Sequence, residues 1–332
     1  MTTASSLCYA SNLDKTINEL NKGDTIYVIT NRISNSQDSV TMFSNKVNID
    51  QKLTYTKVIM GIGNNNPINL VLTYDEFMLE VSQKTSDWLL FIHGDGKTYK
   101  QSIKRGLNIQ KTHNINVIVF SWPSEIPSLS AIKNLKNSQK NVSKSSIHFI
   151  ELLNFMHDFK KSNDGFNKNN KLSILLHSLG NLYLEQFIKN SKNEFQSPNL
   201  FDNLIINSAA VREKKHTDWV EKLNFQKRIY IASNKSDFTL KGKHIFTNGG
   251  NQLGEKTKRV SASNAKYINF SKAVGFRFPL GTTHTYFIGS LPERSGNIHH
   301  LYSSLFHGSQ INLSESTIFK KKQNKCYYSI IF

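Results

Sequence analysis

One serine of this chain stands between an apolar strand and a helix, in a turn of small residues. The run Leu-Ser-Ile-Leu-Leu-His-Ser-Leu-Gly-Asn spans 172–181, and apolar residues at helical spacing follow it. A strand that turns sharply through a serine into a helix presents the hydroxyl at the carboxyl end of a sheet, as a nucleophile elbow does. The turn also aims the backbone N–H of Leu179 at the position where an oxyanion would form. Ser178 is therefore the predicted nucleophile of an acyl transfer.

Two observations temper that reading of the motif taken alone. Leu176 occupies a position where the elbow consensus has a small residue, usually glycine. A serine after a strand can also do no more than cap the following helix. Gly180, by contrast, suits the close approach of helix and strand that an elbow requires.

A second block supplies backbone amides for the same chemistry. Trp88–Ile92 is an apolar run that ends in His93, Gly94, Asp95 and Gly96. The loop after such a strand provides the second oxyanion donor in enzymes built on an elbow, and glycines let the backbone approach a reacting carbonyl. We therefore expect the second donor to be a backbone N–H between Gly94 and Gly96. His93 is more typical of a structural hydrogen-bonding residue than of a base.

An acid and a base should follow the nucleophile in that chain order. Asp237 lies five residues beyond the predicted strand Arg228–Ala232, where a loop can reach an imidazole. A turn-capping aspartate is the competing interpretation. Five histidines follow Asp237 and fit the order: His244, His284, His299, His300 and His307.

The elements that must position these residues alternate between strands and helices, which favours a mostly parallel sheet covered on both faces. The predicted strands are 25–31, 39–47, 88–92, 117–120, 172–176, 204–206, 228–232 and 266–270. The first two are expected to pair as a hairpin at one edge of the sheet. Thr73 and Glu76 have capping-box spacing at a helix start, and Ile147, Ile150, Leu153 and Met156 predict the apolar stripe of another helix.

Composition limits the class of protein. The chain of 332 residues has two cysteines, so neither a disulfide framework nor paired zinc ligands is expected. No signal peptide or membrane-spanning run is recognisable, so the expected location is cytoplasmic. The net charge of +18 suggests nucleic acid or anionic membrane as a partner, but only seven of the 42 basic residues are arginine. A solvated, lysine-rich surface explains the charge as well, and nucleic acid is not the expected partner.

Taken together, three blocks resemble a known family. The order His-Gly (93–94), Phe-Ser-Trp-Pro-Ser (120–124) and His-Ser-Leu-Gly-Asn (177–181) is similar to a bacterial α/β-hydrolase family of uncharacterised function with "FxWPS" and "AHSMGN" motifs. The strand at 26–32, Asp237 with Leu240, and the Gln-Leu-Gly of 252–254 also match, so the resemblance covers about residues 24–310. It implies an eight-stranded α/β-hydrolase sheet and a Ser–Asp–His triad, but no substrate.

The resemblance also chooses among the histidines. His284, in Gly-Thr-Thr-His-Thr-Tyr-Phe (281–287), matches the family's His-Ser-Tyr block and is the predicted base, with His299 in reserve. Where the family tends to have Pro-Asp, this chain has Asn-Ser-Ala-Ala-Val (207–211), which leaves Asp237 without its main rival.

The predicted organisation is an extension (1–23), one α/β-hydrolase domain (24–308) and a peripheral tail (309–332). Within the domain, residues 24–84 would form the edge hairpin and first helix, and 85–308 the catalytic core. The predicted activity is hydrolysis of an ester, rather than an amide, in a small molecule or a lipid, with no cofactor or metal. A catalytically idle binding scaffold remains open as an alternative, as does a basic protein that binds an anionic membrane surface or nucleic acid.

Overall fold

The strands of the chain assemble into one large sheet and one small one. The structure, a computed structural model, describes residues 24–35, 42–50, 52–61, 67–190, 195, 197–247, 250–256, 261–275, 281–321 and 326–332, without the side chains of 167 and 243–247. The predicted extension 1–23 lies outside the described residues. The strands are β1 Thr25–Thr30, β2 Arg32–Ser34, β3 Phe43–Val47, β4 Thr54–Ile59, β5 Ile68–Leu72, β6 Trp88–Ile92, β7 Asn116–Ser121, β8 Leu172–His177, β9 Phe201–Asn207, β10 Gln226–Ser233, β11 Ala265–Asn269, β12 Phe319–Lys321 and β13 Tyr327–Ile330.

The helices fill the intervals between the strands. They are α1 Tyr74–Ser82, α2 Tyr99–His113, α3 Ala131–Lys144, α4 Ser146–Ser162, α5 Asp164–Asn167, α6 Leu182–Asn190, α7 Thr217–Val220, α8 Phe238–Thr247, α9 Ser271–Val274, α10 Ser290–Arg294 and α11 Gly296–Phe306. A 3₁₀ turn, Ser178–Asn181, joins β8 to α6. None of the helices described in the structure is both long and apolar enough to cross a membrane.

The large sheet has the order β12-β13-β11-β10-β9-β8-β6-β7-β1-β4-β5. Its strands from β13 to β1 run parallel, β4 and β5 extend one edge antiparallel, and β12 does so at the other. The mostly parallel sheet is as predicted, although the described residues give it eleven strands where the resemblance implied eight. β8 lies well inside the parallel part, so its carboxyl end has neighbours on both sides.

The predicted edge hairpin is wrong. β1 is an inner strand between β7 and β4, whereas β3 pairs with β2 in a separate two-stranded sheet. Ile26, Val28 and Ile29 are fully buried, as residues of a strand covered on both faces must be. β1 is therefore part of the core of the sheet. The edge position that was predicted for it is occupied by β4 and β5.

The segment after residue 308 is also not the separate tail that was predicted. β13 runs parallel to β11, with Tyr267 opposite Tyr327, and Ile330 is fully buried. β12 returns antiparallel to β13. The C-terminal residues therefore belong to the sheet, and the predicted boundary at 308 does not separate them from it.

Helices cover both faces of the sheet and form two buried clusters. On one face, side chains of α1, α3, α4 and α6 pack together, among them Phe77, Leu152 and Tyr183. On the other face, α2, α9, α10 and α11 contribute residues such as Leu107 and Leu301. The helices on both faces hold the sheet in place. The loops at the carboxyl ends of the parallel strands stay uncovered by these helices and carry the polar residues.

The helix starts follow the predicted local chemistry in part. The capping box between Thr73 and Glu76 is confirmed, with each side chain bonded to the other residue's backbone N–H. The predicted stripe of α4 is wrong at Ile147, which is exposed, while Phe149 is buried. Leu153 and Met156 are fully buried and Ile150 packs against the same cluster, so the rest of the predicted stripe is confirmed.

Candidate active site

The backbone at Ser178 is held in a conformation that few residues adopt. Its φ is 52°, in the left-handed region, where a residue other than glycine is strained. The Asn181 side-chain amide donates to the carbonyl oxygens of Leu176, Ser178 and Asn207, at 3.0–3.3 Å. The Ala210 N–H also donates to Ser178 O, at 3.0 Å. These contacts hold the turn at the end of β8 in the shape of an elbow.

The residues around the elbow show why it tolerates Leu176. Leu176 is fully buried and belongs to the same apolar cluster as Tyr183 of α6. The close approach is provided by Gly180 instead, because a Cβ there would lie 2.6 Å from the carbonyl oxygen of His93. The departure at Leu176 therefore leaves the strained conformation of Ser178 in place.

The predicted acid and base lie side by side. The Nδ1 atom of His284 is 2.6 Å from Oδ2 of Asp237, whose side chain is fully buried. Because an ionised carboxylate can only accept, Nδ1 carries the proton in this pair and Nε2 is the basic nitrogen. The other carboxylate oxygen of Asp237 accepts the N–H of Leu240 at 3.0 Å, which anchors the acid at the start of α8.

The loop that carries the base is tied to the ends of β9 and β10. Ser208 donates its hydroxyl to His284 O at 2.9 Å, and the amide of Asn234 donates to Thr283 O at 2.8 Å. The ring of His284 also contacts that of His177, with centroids 4.6 Å apart. Backbone and ring are thus fixed together, which is what a general base needs for a constant approach to its serine.

Gly254 lies where another backbone segment passes too close for a side chain. A Cβ at Gly254 would lie 2.2 Å from the backbone of Ser208, so only glycine permits this approach. Its N–H donates to Ala209 O at 2.9 Å, and its carbonyl accepts the N–H of Asn234 at 2.8 Å. The segment therefore joins the two strand ends that support the acid and the base.

A cavity of about 260 Å³ brings these parts together at the carboxyl edge of the sheet. Its lining residues are Phe91, His93, Gly94, Asp95, Lys97, Arg105, His177, Ser178, Thr239, Gly281, His284 and Thr285. Ser178 and His284 both line this cavity, and Asp237 lies behind His284, to which it is hydrogen-bonded. Gly94 lies directly against Ser178, since a Cβ there would be 2.6 Å from Ser178 Cβ and 3.3 Å from Oγ.

The structure narrows the predicted oxyanion donors. The Gly96 N–H donates to Ser124 O at 2.9 Å, so it is engaged within the protein and Gly96 is withdrawn as a donor. Gly94 and Asp95 both line the cavity. Leu179 follows the serine in the turn and stays the predicted first donor.

The reserve base lies elsewhere. On α11, Nε2 of His299 is 2.9 Å from Thr112 O, and its ring stacks on His113. His307 pairs with Asp87, 2.7 Å away. Neither histidine lines the cavity, and the side chain of His244 lies outside the described residues. The described histidines therefore favour His284.

Sequence reasoning missed the supports of the site. Asn181 is the last residue of the elbow run, but no role was predicted for it. Ser208 lies in the segment 207–211, which was considered only because the family tends to have an aspartate there. Their roles depend on backbone carbonyls of other strands, which no local pattern reports. Among the described residues, no group of His, Cys, Asp and Glu is arranged to hold a metal ion.

Comparison with known proteins identifies the family of the chain. A family model described as an alpha/beta hydrolase of unknown function (DUF900) matches residues 74–276, a range that includes Ser178 and Asp237 and ends before His284. No curated protein matches the chain.

Two solved structures match the chain at low similarity. An acylaminoacyl peptidase from Pyrococcus horikoshii is 10% identical with a TM-score of 0.36, over 90% of this chain and 44% of that one. The phospholipase PlaB from Legionella pneumophila is 8% identical with a TM-score of 0.30, over 74% of this chain and 68% of that one. The chain thus spans less than half the length of the peptidase.

Proposed function

The chain belongs to this family of alpha/beta hydrolases of unknown function, and from that premise we propose that it is a serine hydrolase which cleaves an ester. The observation that carries the proposal is the 2.6 Å contact between His284 and Asp237, because His284 lines the same cavity as Ser178. The strained φ of Ser178 supports it, since backbone strain held by several hydrogen bonds is typical of functional positions.

In the first half of the reaction, Ser178 Oγ attacks the acyl carbonyl and its proton passes to Nε2 of His284. Asp237 keeps the imidazole in the correct tautomer and stabilises the imidazolium that forms. The carbonyl oxygen becomes an oxyanion and accepts hydrogen bonds from Leu179 N–H and from the loop after β6. His284 then gives the proton to the leaving alcohol, and an acyl-enzyme remains on Ser178.

In the second half, water takes the place of the alcohol. His284 Nε2 removes a proton from the water, whose oxygen attacks the acyl carbon through a second oxyanion. The collapse of that intermediate releases a carboxylic acid and returns the proton to Ser178 Oγ. No cofactor or metal is needed for either half.

The size of the cavity bears on the substrate. At about 260 Å³ it lies below the range of about 300–1,000 Å³ that is usual for ligand pockets, which favours a short acyl group. The choice of ester over amide rests on how often this fold hosts esterases, and is therefore an analogy rather than a deduction from the site.

The test is labelling with a fluorophosphonate followed by peptide mapping. We expect one label, on Ser178, and none in Ser178→Ala. Hydrolysis of a short-chain aryl ester should fall about 10⁴- to 10⁶-fold in that variant. Ser130→Ala is the matched control, because Ser130 caps α3 without a side-chain hydrogen bond and should change neither result. Stoichiometric labelling that survives Ser178→Ala would refute the nucleophile.

A further inference from the structure

The side chain of His93 lies between two backbone groups at the edge of the cavity. Its Nε2 atom is 3.1 Å from the N–H of Trp122, and its Nδ1 atom is 2.8 Å from the carbonyl oxygen of Gly94. A backbone N–H can only donate, so Nε2 is the acceptor and Nδ1 carries the proton. His93 therefore donates to Gly94 O, the carbonyl of the peptide that joins Gly94 to Asp95.

The ring cannot easily leave this position or gain a charge. It stacks on the indole of Trp122 with an interplanar angle of 4°, and the indole N–H donates back to His93 O at 2.8 Å. Burial, and then the positive charge of Arg32, hold the pKa of His93 well below its ordinary value. The imidazole is thus a fixed, neutral donor at physiological pH.

The orientation of one peptide follows from that donor. In a trans peptide the C=O and N–H bonds point in opposite directions. With Gly94 O directed at His93, the N–H of Asp95 is directed away from His93. Both residues of this peptide line the cavity, and Gly94 lies against Ser178.

The rest of the loop is held by the Trp-Pro-Ser segment. The Ser124 carbonyl accepts Gly96 N–H at 2.9 Å, and its hydroxyl accepts Lys97 N–H at 3.0 Å. Arg32 spans the two segments, donating to Lys97 O at 2.9 Å and to Trp122 O at 2.6 Å. The next two amides of the loop are therefore committed, and the Gly94–Asp95 peptide is the part whose direction His93 sets.

We propose that His93 is a positioning residue which fixes the Gly94–Asp95 peptide so that Asp95 N–H serves as the second oxyanion donor beside Leu179. The inference rests on the proposed serine-hydrolase function. Without the bond from His93, the flexible residue Gly94 lets this peptide turn over, and the carbonyl oxygen then faces the site where the oxyanion forms. Loss of one oxyanion donor lowers kcat by about 10²- to 10³-fold.

Three substitutions separate the two hydrogen bonds of the ring. His93→Asn keeps a side-chain N–H near the place of Nδ1 and can still donate to Gly94 O. His93→Gln keeps an acceptor near the place of Nε2 and loses that donor, and His93→Leu loses both. The matched control is His216→Leu, since His216 is also buried with two hydrogen bonds, to Glu213 O and to the hydroxyl of Tyr267, and does not line the cavity.

The measurements are kcat and KM for a short aryl ester, and the inhibition constant of phenylboronic acid, which forms a tetrahedral adduct with the serine. For His93→Gln and His93→Leu we expect kcat to fall about 10²-fold or more, KM to change less than about threefold, and the boronate constant to rise in parallel with the loss of kcat. His93→Asn should recover at least about tenfold of that loss, and His216→Leu should keep the wild-type kcat.

Equal losses in His93→Asn and His93→Gln, or an unchanged boronate constant, would overturn the positioning role. This comparison stands even where His93→Leu does not fold. Wild-type activity in all His93 variants would overturn the positioning role while leaving Ser178 as the nucleophile. A wild-type protein that neither turns over esters nor takes the fluorophosphonate would instead overturn the proposed function, and this inference with it.

Discussion

Replacing Gly94 with alanine should disable the site without unfolding the protein. The added Cβ would lie 2.6 Å from Ser178 Cβ, at least about 0.8 Å short of the 3.4 Å at which ordinary contact begins. The backbone at Gly94 is not in the left-handed region, so only the lack of space opposes the methyl group. Ser178 cannot yield, because its turn is held by Asn181 and Ala210.

The size of the loss follows from that displacement. A shift of about 1 Å between reacting groups costs about 10²-fold in rate, and loss of an oxyanion donor about 10²- to 10³-fold. We therefore expect kcat/KM of Gly94→Ala to fall by about 10²- to 10³-fold, which corresponds to about 2.7–4 kcal/mol of transition-state stabilisation. Overpacking should lower the free energy of unfolding by only about 1–3 kcal/mol.

The assay is hydrolysis of a short aryl ester, with urea unfolding of the same preparations. Gly242→Ala is the control, because Gly242 lies in α8 and a Cβ there meets nothing within 4 Å. It should keep full activity and gain up to about 1 kcal/mol in unfolding free energy. Near wild-type turnover in a folded Gly94→Ala would refute the placement of Gly94 beside the reacting serine.

Three further outcomes are expected. His284→Ala should lose ester hydrolysis about as severely as Ser178→Ala, with the double variant little worse, whereas His299→Ala should keep it; the reverse pattern in kcat would move the base to His299. The bond to Asp87 raises the pKa of His307, so its stabilisation is complete below the unfolded pKa of about 6.5 and is lost as pH rises through the folded value. Urea unfolding should therefore show a larger loss for His307→Gln at pH 6 than at pH 9, and an equal or opposite difference would contradict this. The affinity for duplex DNA, measured by fluorescence anisotropy, should be weak and should fall steeply as salt rises. A sub-micromolar Kd at physiological salt would instead support the nucleic-acid alternative.

The central part of the molecule was predictable from its sequence because it is locally determined. β6 is an uninterrupted apolar run, β8 is apolar in four of its six residues, and the predicted start of each is the observed one. The elbow led to the expected order of nucleophile, acid and base, and the resemblance chose His284, which contacts Asp237 in the structure. The position of Ser178 could be predicted because it depends only on the strand before it, the turn that contains it and the helix that follows.

The edges of the sheet were not predictable in the same way. β13 has two tyrosines and a serine among its four residues, so it lacks the apolar run that marked the inner strands. β5 is apolar in four of its five residues but mostly exposed, so its composition does not reveal that it lies at the edge of the sheet. Their places depend on pairing with β4 and β11, which is a long-range property. In α4 the apolar letters allowed two stripes, and only packing on the sheet decides that Ile147 faces solvent.

The hydrogen bond from Gly96 N–H to Ser124 O could not be predicted for a related reason. The glycine-rich run after β6 offered several equivalent N–H groups, and the choice depends on Ser124, 28 residues further along the chain. The same holds for His93, whose partners are backbone atoms of Gly94 and Trp122. A residue type predicts what a side chain can donate, and only the fold decides which carbonyl receives it.

The division of the site among distant strand ends governs when it can first exist in a growing chain. Ser178 precedes His284 by 106 residues, and β8 and β9 also bond through Ser173 and Asn203 to the carbonyl of Leu305 in α11. At about 5–20 residues per second, translation takes about 5–20 s to pass from the serine to the histidine. During that interval the nascent polypeptide contains Ser178 but not His284, the proposed base. On the proposed mechanism, a chain that ends between these two residues contains the serine but lacks the histidine that activates it.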